Sequence, residues 1–219
     1  PRSCSSAASD VYKRQSIMHV NLFFCGDSVT FGMELEPEHE EYRFSNLVAT
    51  DKNLTHHNRS LSGACNDWIV KHAIKFFREG NTCDTAIIQF SAPERWNYYD
   101  PTKRRFYNIG NQKTTNNLRT PNMKNAHKMY YEHIWTEELA LENYWKNVFL
   151  LDNYLKDKCK TIYLTLTYPW NIHQRTRYNE WLPDVEIASC KLIVGESRLV
   201  GHPSKEGHRK IADYVISKL

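Results

Sequence analysis

The sequence predicts an α/β protein, a three-layer α/β/α sandwich whose central parallel sheet is covered by helices on both faces. Three observations predict it. Strand-like and helix-like patterns alternate along most of the chain, as successive parallel crossover units require. Several of the strand runs read as buried rather than half-exposed. The 219 residues, 41% hydrophobic and 13% aromatic, suit one domain with a sizeable core.

The elements follow in order. "HVNLFFC" (19–25) reads as a buried strand, "YRFSNLVATD" (42–51) as a short helix, and "NLTHHNRSL" (53–61) as the place for a second strand. "NDWIVKHAIKFFREG" (66–80) puts Trp68, Ile69, His72, Ala73, Phe76 and Phe77 on one helical face and stops at Gly80. "DTAIIQF" (84–90) is the next buried strand. From about Trp96 to His133 a polar, aromatic stretch without clear period interrupts the alternation and is expected to form an insertion or lid.

The alternation resumes at Thr136, a helix N-cap, with Glu137 and Glu138 in the first turn and Leu141, Trp145, Val148, Asp152 and Leu155 at helical spacing. "KTIYLTLTYP" (160–169) is a β-branched strand that ends at Pro169. Residues 170–200 are ambiguous, with "CKLIV" (190–194) the candidate for a short last strand. "HPSKEGHRKIADYVISKL" (202–219) closes the chain as a helix capped by Ser204, with Ile211, Ala212, Val215, Ile216 and Leu219 on one stripe.

Composition removes several function classes. "PRSCSSAASDVYKRQ" (1–15) has no periodicity and resembles translated sequencing-adapter read-through of the kind found in metagenomic assemblies. Residues 1–17 are therefore set aside as a non-native or disordered tail. Met18 becomes the expected start, and 18–219 a single domain with an insertion at about 96–133. Half of the formal net charge of +4 lies in that tail, on Arg2, Lys13 and Arg14 against Asp10. The remaining mild basicity argues for no nucleic acid. No stretch is apolar enough to span a membrane, and a signal-peptide layout is missing at the N-terminus, so a soluble protein is expected, cytoplasmic or of unknown compartment.

Cys4, Cys25, Cys65, Cys83, Cys159 and Cys190 form no C-x-x-C pair, so neither a zinc site nor a disulfide framework is expected. His56, His57, His72, His127 and His133 lack ligand-like spacing, and neither a metal nor another cofactor is called for. Asn53-Leu54-Thr55 and Asn58-Arg59-Ser60 match the glycosylation sequon by chance.

The chemistry gathers where strands end. Gly26-Asp27-Ser28 follows the first strand, and in parallel sheets sites sit at carboxyl ends of strands. A tight turn there makes Ser28 either a nucleophile beside exposed backbone N–H groups or a helix N-cap, a role that Asp27 can also fill. His202, ahead of Pro203 and the closing helix, is the best-placed base for such a serine. His208 falls beside the apolar stripe and reads as a packed or partly exposed helix residue. "NRSLSGACND" (58–67) follows the second strand, and Gly63 there is either an oxyanion donor or a turn glycine.

"FFCGDSVTFG", "NRSLSGACND" and "GHPSKEGHRKIA" resemble, in this order and at plausible spacing, the first, second and last signature blocks of the SGNH (GDSL-type) hydrolase superfamily. The resemblance implies a flavodoxin-like sandwich and ester hydrolysis without a cofactor. It makes Ser28 the nucleophile and first oxyanion donor, Gly63 the second donor and His202 the base, with Asp27 and Asn66 in support. Two departures stand out. The family's third block supplies an asparagine after the third strand, but this chain has "QFSAPERWNYYD", where Ser91, Glu94 or Arg95 is left to substitute. Glu94 and Arg95 could equally pair with each other. The family's acid three residues before the histidine is replaced by Leu199, and Glu196 is the nearest carboxylate ahead of His202. A Ser-His dyad oriented by a backbone carbonyl would still work.

The insertion mixes Lys103, Arg104, Arg105, Lys113, Arg119, Lys124 and Lys128 with Trp96, Tyr98, Tyr99, Phe106, Tyr107, Tyr130 and Tyr131. That mixture suits a solvated loop, stacking on sugars or binding an anionic polymer. The expected function is a serine esterase acting on a small-molecule or carbohydrate-borne ester. The alternative is a catalytically impaired relative that binds a glycan or a protein. A third candidate, a flavodoxin-like nucleotide binder, lacks both G-x-G-x-x-G and a P-loop lysine.

Overall fold

The computed structural model describes residues 17–35, 38–110, 120–166, 185–195 and 202–219. Among them the central sheet has five strands: β1 (His19–Cys25), β2 (His56–Asn58), β3 (Thr82–Phe90) and two later strands, Lys160–Thr165 and Ile187–Ser189. A separate antiparallel hairpin, β4 (Trp96–Asp100) with β5 (Arg105–Ile109), precedes the later pair, which are therefore β6 and β7. The sheet order is β2-β1-β3-β6-β7, parallel throughout. Ignoring the hairpin, that is the doubly wound order 2-1-3-4-5, whose direction reverses between β1 and β3.

Side-chain alternation along the strands builds two cores. Phe23 and Cys25 of β1, with Ala86, Ile88 and Phe90 of β3, face the helices α4 (Asn66–Arg78) and α6 (Glu137–Leu155). Leu22, Phe24 and Ile87 face the opposite way, against α3 (Phe44–Lys52) and α8 (Lys205–Lys218). This is the three-layer α/β/α sandwich expected from the sequence. The shorter helices are α1 (Ser28–Phe31), α2 (His39–Tyr42), α5 (Pro121–Met129) and α7 (Cys190–Val194).

Local signals act as anticipated at the caps. Thr136 accepts from Leu139 N and Ser204 from Gly207 N, each satisfying an orphan donor of a helix start. Asp152, the polar member of the α6 stripe, accepts from the Tyr163 hydroxyl of β6 at 3.0 Å. No described helix is long and apolar enough to cross a membrane.

Two expectations need correction. "CKLIV" is not the last strand: Ile187–Ser189 pairs with Tyr163–Thr165, and Cys190–Val194 turns into α7. The burial period shows why. Cys190 and Val194 are buried whereas Leu192 is 57% exposed; a strand would put all three on one face, whereas a helix puts only the first and last together. The stretch 96–133 is also less irregular than its sequence suggests, because it holds the β4–β5 hairpin and α5. The signal for α5 was Thr120-Pro121: Thr120 accepts from Met123 N, with proline at the first helical position.

Candidate active site

Gly26 ends β1 because nothing larger fits. A Cβ there would lie 2.4 Å from Thr30 Oγ1 and 2.9 Å from Gln89 Cβ. Gln89, fully buried near the end of β3, holds the turn from the other side. Its Oε1 accepts from Asp27 N at 3.1 Å and Thr30 Oγ1 at 3.0 Å, and its amide donates to Phe90 O at 2.8 Å. Gln89 is not among the residues that the sequence singles out. Its signal was a single amide inside the otherwise apolar run "AIIQF".

Asp27 and Ser28 divide the roles that the sequence left open. Asp27 is the N-cap of α1, its Oδ1 accepting from Val29 N at 3.1 Å. Ser28 is the first helical residue, 2% exposed, and its Oγ is buried without a hydrogen-bond partner. Its backbone N–H belongs to the helix-start donors that no intrahelical carbonyl satisfies. The Ser28 carbonyl accepts from both Gly32 N at 3.1 Å and Met33 N at 2.9 Å, with Gly32 in the left-handed region at φ 87°. Residues 27–35 thus form one compact unit that ends in Glu34, also left-handed at φ 70°, and the buried Leu35.

The second segment runs beside this unit. Arg59 N donates to Phe24 O at 2.8 Å and Leu61 N to Gly26 O at 3.2 Å, which carries the chain past the end of β1. Gly63 follows at φ 78° with open space where its Cβ would be. Glycine is favoured there by backbone angle and not by crowding. Asn66 clamps the exit of β3, accepting from Ser91 N at 2.7 Å and donating to Ser91 O at 3.2 Å.

Of the candidates to replace the third-block asparagine, Ser91 and Arg95 both turn to Asp27. Ser91 Oγ donates to Asp27 Oδ2 at 2.9 Å, and Arg95 Nη1 reaches the same oxygen at 2.9 Å and Ser91 Oγ at 2.8 Å. Arg95 therefore does not pair with Glu94. The Glu94 backbone carbonyl instead accepts from the Tyr131 hydroxyl at 2.6 Å. The hairpin also supplies an acceptor, since Asn108 of β5 accepts from Cys65 N at 3.2 Å. Burial pushes the Cys25 and Cys65 thiols flanking the site up to about 12, so both stay protonated and neither competes as a nucleophile.

His202 lies against the unit that carries Ser28. Its Nδ1 is 3.0 Å from Glu34 Oε1, with the imidazole 22% and the carboxylate side chain 34% exposed. The separation is that of an ion pair, but the oxygen sits off the N–H direction, so Nδ1 has no aligned hydrogen bond. Glu196, the acid nearest ahead of His202 in sequence, lies outside the described residues, as do positions 199–201. Sequence reasoning missed Glu34, which is distant from His202 along the chain.

No protein-family model matches the chain, and no curated protein matches its sequence. Solved structures do. The chain is similar to a member of the lipolytic protein G-D-S-L family from Veillonella parvula DSM 2008, with TM-score 0.52 and 11% identity over 92% of this chain and 100% of that one. It is also similar to the psychrotrophic esterase EstA from Pseudoalteromonas sp. (TM-score 0.52, 14% identity, 90% and 96% coverage). A third match is the acetyl xylan esterase Est2A from the rumen bacterium Butyrivibrio proteoclasticus (TM-score 0.53, 11% identity), where 92% of this chain covers 63% of the other. The fold is thus the α/β/α sandwich of GDSL-type lipolytic proteins and esterases.

Proposed function

We propose that the protein is a serine ester hydrolase of the SGNH type, with Ser28 as nucleophile and His202 as base. One observation carries this reading above the others. At the carboxyl end of β1 a buried serine hydroxyl is left without a partner while Asp27 takes the cap, and an imidazole is held against the same short unit. A hydroxyl buried unpaired is costly, and a reacting role accounts for it.

In the proposed cycle His202 accepts the Ser28 proton as Oγ attacks the ester carbonyl. The backbone N–H groups of Ser28 and Gly63 hold the tetrahedral oxyanion. The imidazolium then gives its proton to the departing alcohol, and water, activated by the same ring, releases the acyl group. Ser91 and Arg95 brace Asp27 in this scheme and do not serve as a third oxyanion donor. Removing one such donor elsewhere costs about 10²–10³ in rate, so a modest turnover number is expected.

The insertion suggests the substrate class. Tyr99 and Phe106 are about half-exposed with ring centroids 4.9 Å apart, and exposed Lys103 and Arg104 lie in the turn between their strands. Est2A, one of the similar structures, is an acetyl xylan esterase. Short acyl esters on carbohydrate are therefore the proposed substrates. The lack of the family asparagine favours the second reading, an impaired binding module. A fluorophosphonate probe decides between them: labelling that disappears in Ser28→Ala supports the esterase, and an unlabelled wild type supports the binder. A panel of p-nitrophenyl esters of increasing chain length then defines the acyl group.

A further inference from the structure

We infer that Glu34 is the acid of this site: it orients His202, so the carboxylate that completes the triad comes from the turn after the first strand and not from the segment before the histidine. The inference rests on Ser28 and His202 being nucleophile and base.

Three observations converge on Glu34. Its Oε1 is 3.0 Å from His202 Nδ1, the ring nitrogen that an orienting acid must address if Nε2 is to face the serine. Among the described residues, the acids that pair with α8 side chains are engaged elsewhere: Glu38 with Lys205, Glu206 with Lys210, Asp213 and Asp51 with Arg209, and Glu186 with Lys218. Glu34 also occupies a left-handed backbone position, φ 70°, that glycine or asparagine would take with less strain. Strained positions of this kind are kept where the side chain has a task.

The same short unit supplies the geometry. Met33 N donates to the Ser28 carbonyl and Leu35 N to the Gly32 carbonyl, so the backbone just before and after Glu34 is tied to α1. Nucleophile and acid therefore move together, and the histidine is brought to both from the far end of the chain. With Nδ1–H donated to Glu34, the neutral ring keeps a lone pair on Nε2 for the Ser28 proton. The Nδ1 proton stays in place throughout, and the carboxylate stabilises the imidazolium until the leaving alcohol is protonated. The 3.0 Å separation is already that of a hydrogen bond, and catalytic hydrogen bonds that are poorly aligned in the free enzyme often tighten on substrate binding.

Glu34 is thus a positioning residue, and four variants separate its role from a structural one, with p-nitrophenyl acetate as the probe. Glu34→Gln is expected to lower kcat about 100-fold with KM within about threefold, since a mis-set tautomer impairs the chemical step and not binding. Glu34→Asp should recover a good part of that loss. Glu34→Gly should lose activity like the glutamine variant while its Tm does not fall, because glycine relieves the left-handed residue. In the proton NMR spectrum of the fluorophosphonate adduct, a low-field Nδ1–H resonance of His202 should appear in the wild type and be missing in Glu34→Gln. Ser28→Ala is the reference. If it is silent while Glu34→Gln stays within threefold of wild-type kcat, Glu34 is not the acid and the serine mechanism survives. If Ser28→Ala retains turnover, or the wild type neither turns over nor is labelled by fluorophosphonate, the serine reading fails and this inference with it.

Discussion

His202 and His208 lie six residues apart, on either side of the Ser204 cap, and their surroundings differ in the way that the proposed mechanism requires. His208 is fully buried: its Nδ1 accepts from Phe44 N at 3.2 Å, and its ring stacks on Phe44 with centroids 6.2 Å apart. Burial, reinforced by the nearby His202, pushes its pKa down to about 4, so it is a neutral acceptor that ties α8 to the start of α3. His202 keeps contact with solvent and faces a carboxylate. The contrast teaches that the environment, more than the residue type, decides whether an imidazole is cement or reagent. With the Nδ1 lone pair taken by the Phe44 N–H, the neutral His208 ring carries its proton on Nε2 and has no lone pair left to act as a base.

The sharpest way to break this contrast is to exchange the losses. His202→Ala should lower kcat/KM for p-nitrophenyl acetate by about 10³–10⁴-fold, the scale of losing a general base, with little change in Tm. His208→Gln should do the reverse, keeping turnover within about threefold at permissive temperature while lowering Tm. Equal kinetic losses in both variants would show that the site uses the pair as one unit.

Arg95 tests the middle ground, a charged group at the site that we assign to scaffolding. Asp27 is wholly buried and receives Arg95 Nη1 at 2.9 Å. Removing one partner of such a pair typically costs about 3–5 kcal/mol, because a buried charge is left behind. Arg95→Ala should therefore lose stability on that scale in urea titrations. Fluorophosphonate labelling of the fraction still folded should fall much less than in His202→Ala.

The pH dependence of stability isolates His208. Its folded pKa lies near 4 against an ordinary value of 6.5, so between these values the unfolded chain binds the extra proton. Unfolding is then favoured as pH falls. The contribution is complete above about pH 6.5 and is lost on going down through pH 4, amounting to about 3 kcal/mol by linkage. Urea titrations at pH 7 and pH 4.5 should show a smaller difference in His208→Gln than in the wild type. An identical pH dependence would remove the assignment. His56, His57 and His72, which burial also pushes down, remain in both proteins and cancel.

Legibility from sequence followed the range of the interactions. The sandwich was readable because buried strands and amphipathic helices repeat locally, and the caps at Thr136 and Ser204 because a cap acts within three residues. Ser28, Gly63 and His202 could be put forward as candidates because each lies in a short block that resembles a family signature. Gln89, the Arg95–Asp27 contact and Glu34 were not, since each joins segments that only the tertiary fold brings together. The "CKLIV" segment failed for a different reason: five apolar or amphipathic residues satisfy either period, and only the exposure of Leu192 separates them.

The smallest expected effect extends the contrast from imidazoles to aromatic rings. Phe44 is wholly buried and serves the core, whereas Phe106 stands about half-exposed beside Tyr99, with Lys71 Nζ 4.9 Å from its ring centroid. If that exposed pair stacks on a sugar, each ring contributes on the order of 1 kcal/mol to binding, which is about a fivefold change in KM. Phe106→Ala and Tyr99→Ala should each raise KM for an acetylated xylo-oligosaccharide by roughly this factor, leave kcat unchanged, and leave both constants unchanged for p-nitrophenyl acetate, which carries no sugar. A loss shared by both substrates would mean that the hairpin supports the site through Asn108 and its bond to Cys65 N, and that its exposed rings do not choose the substrate.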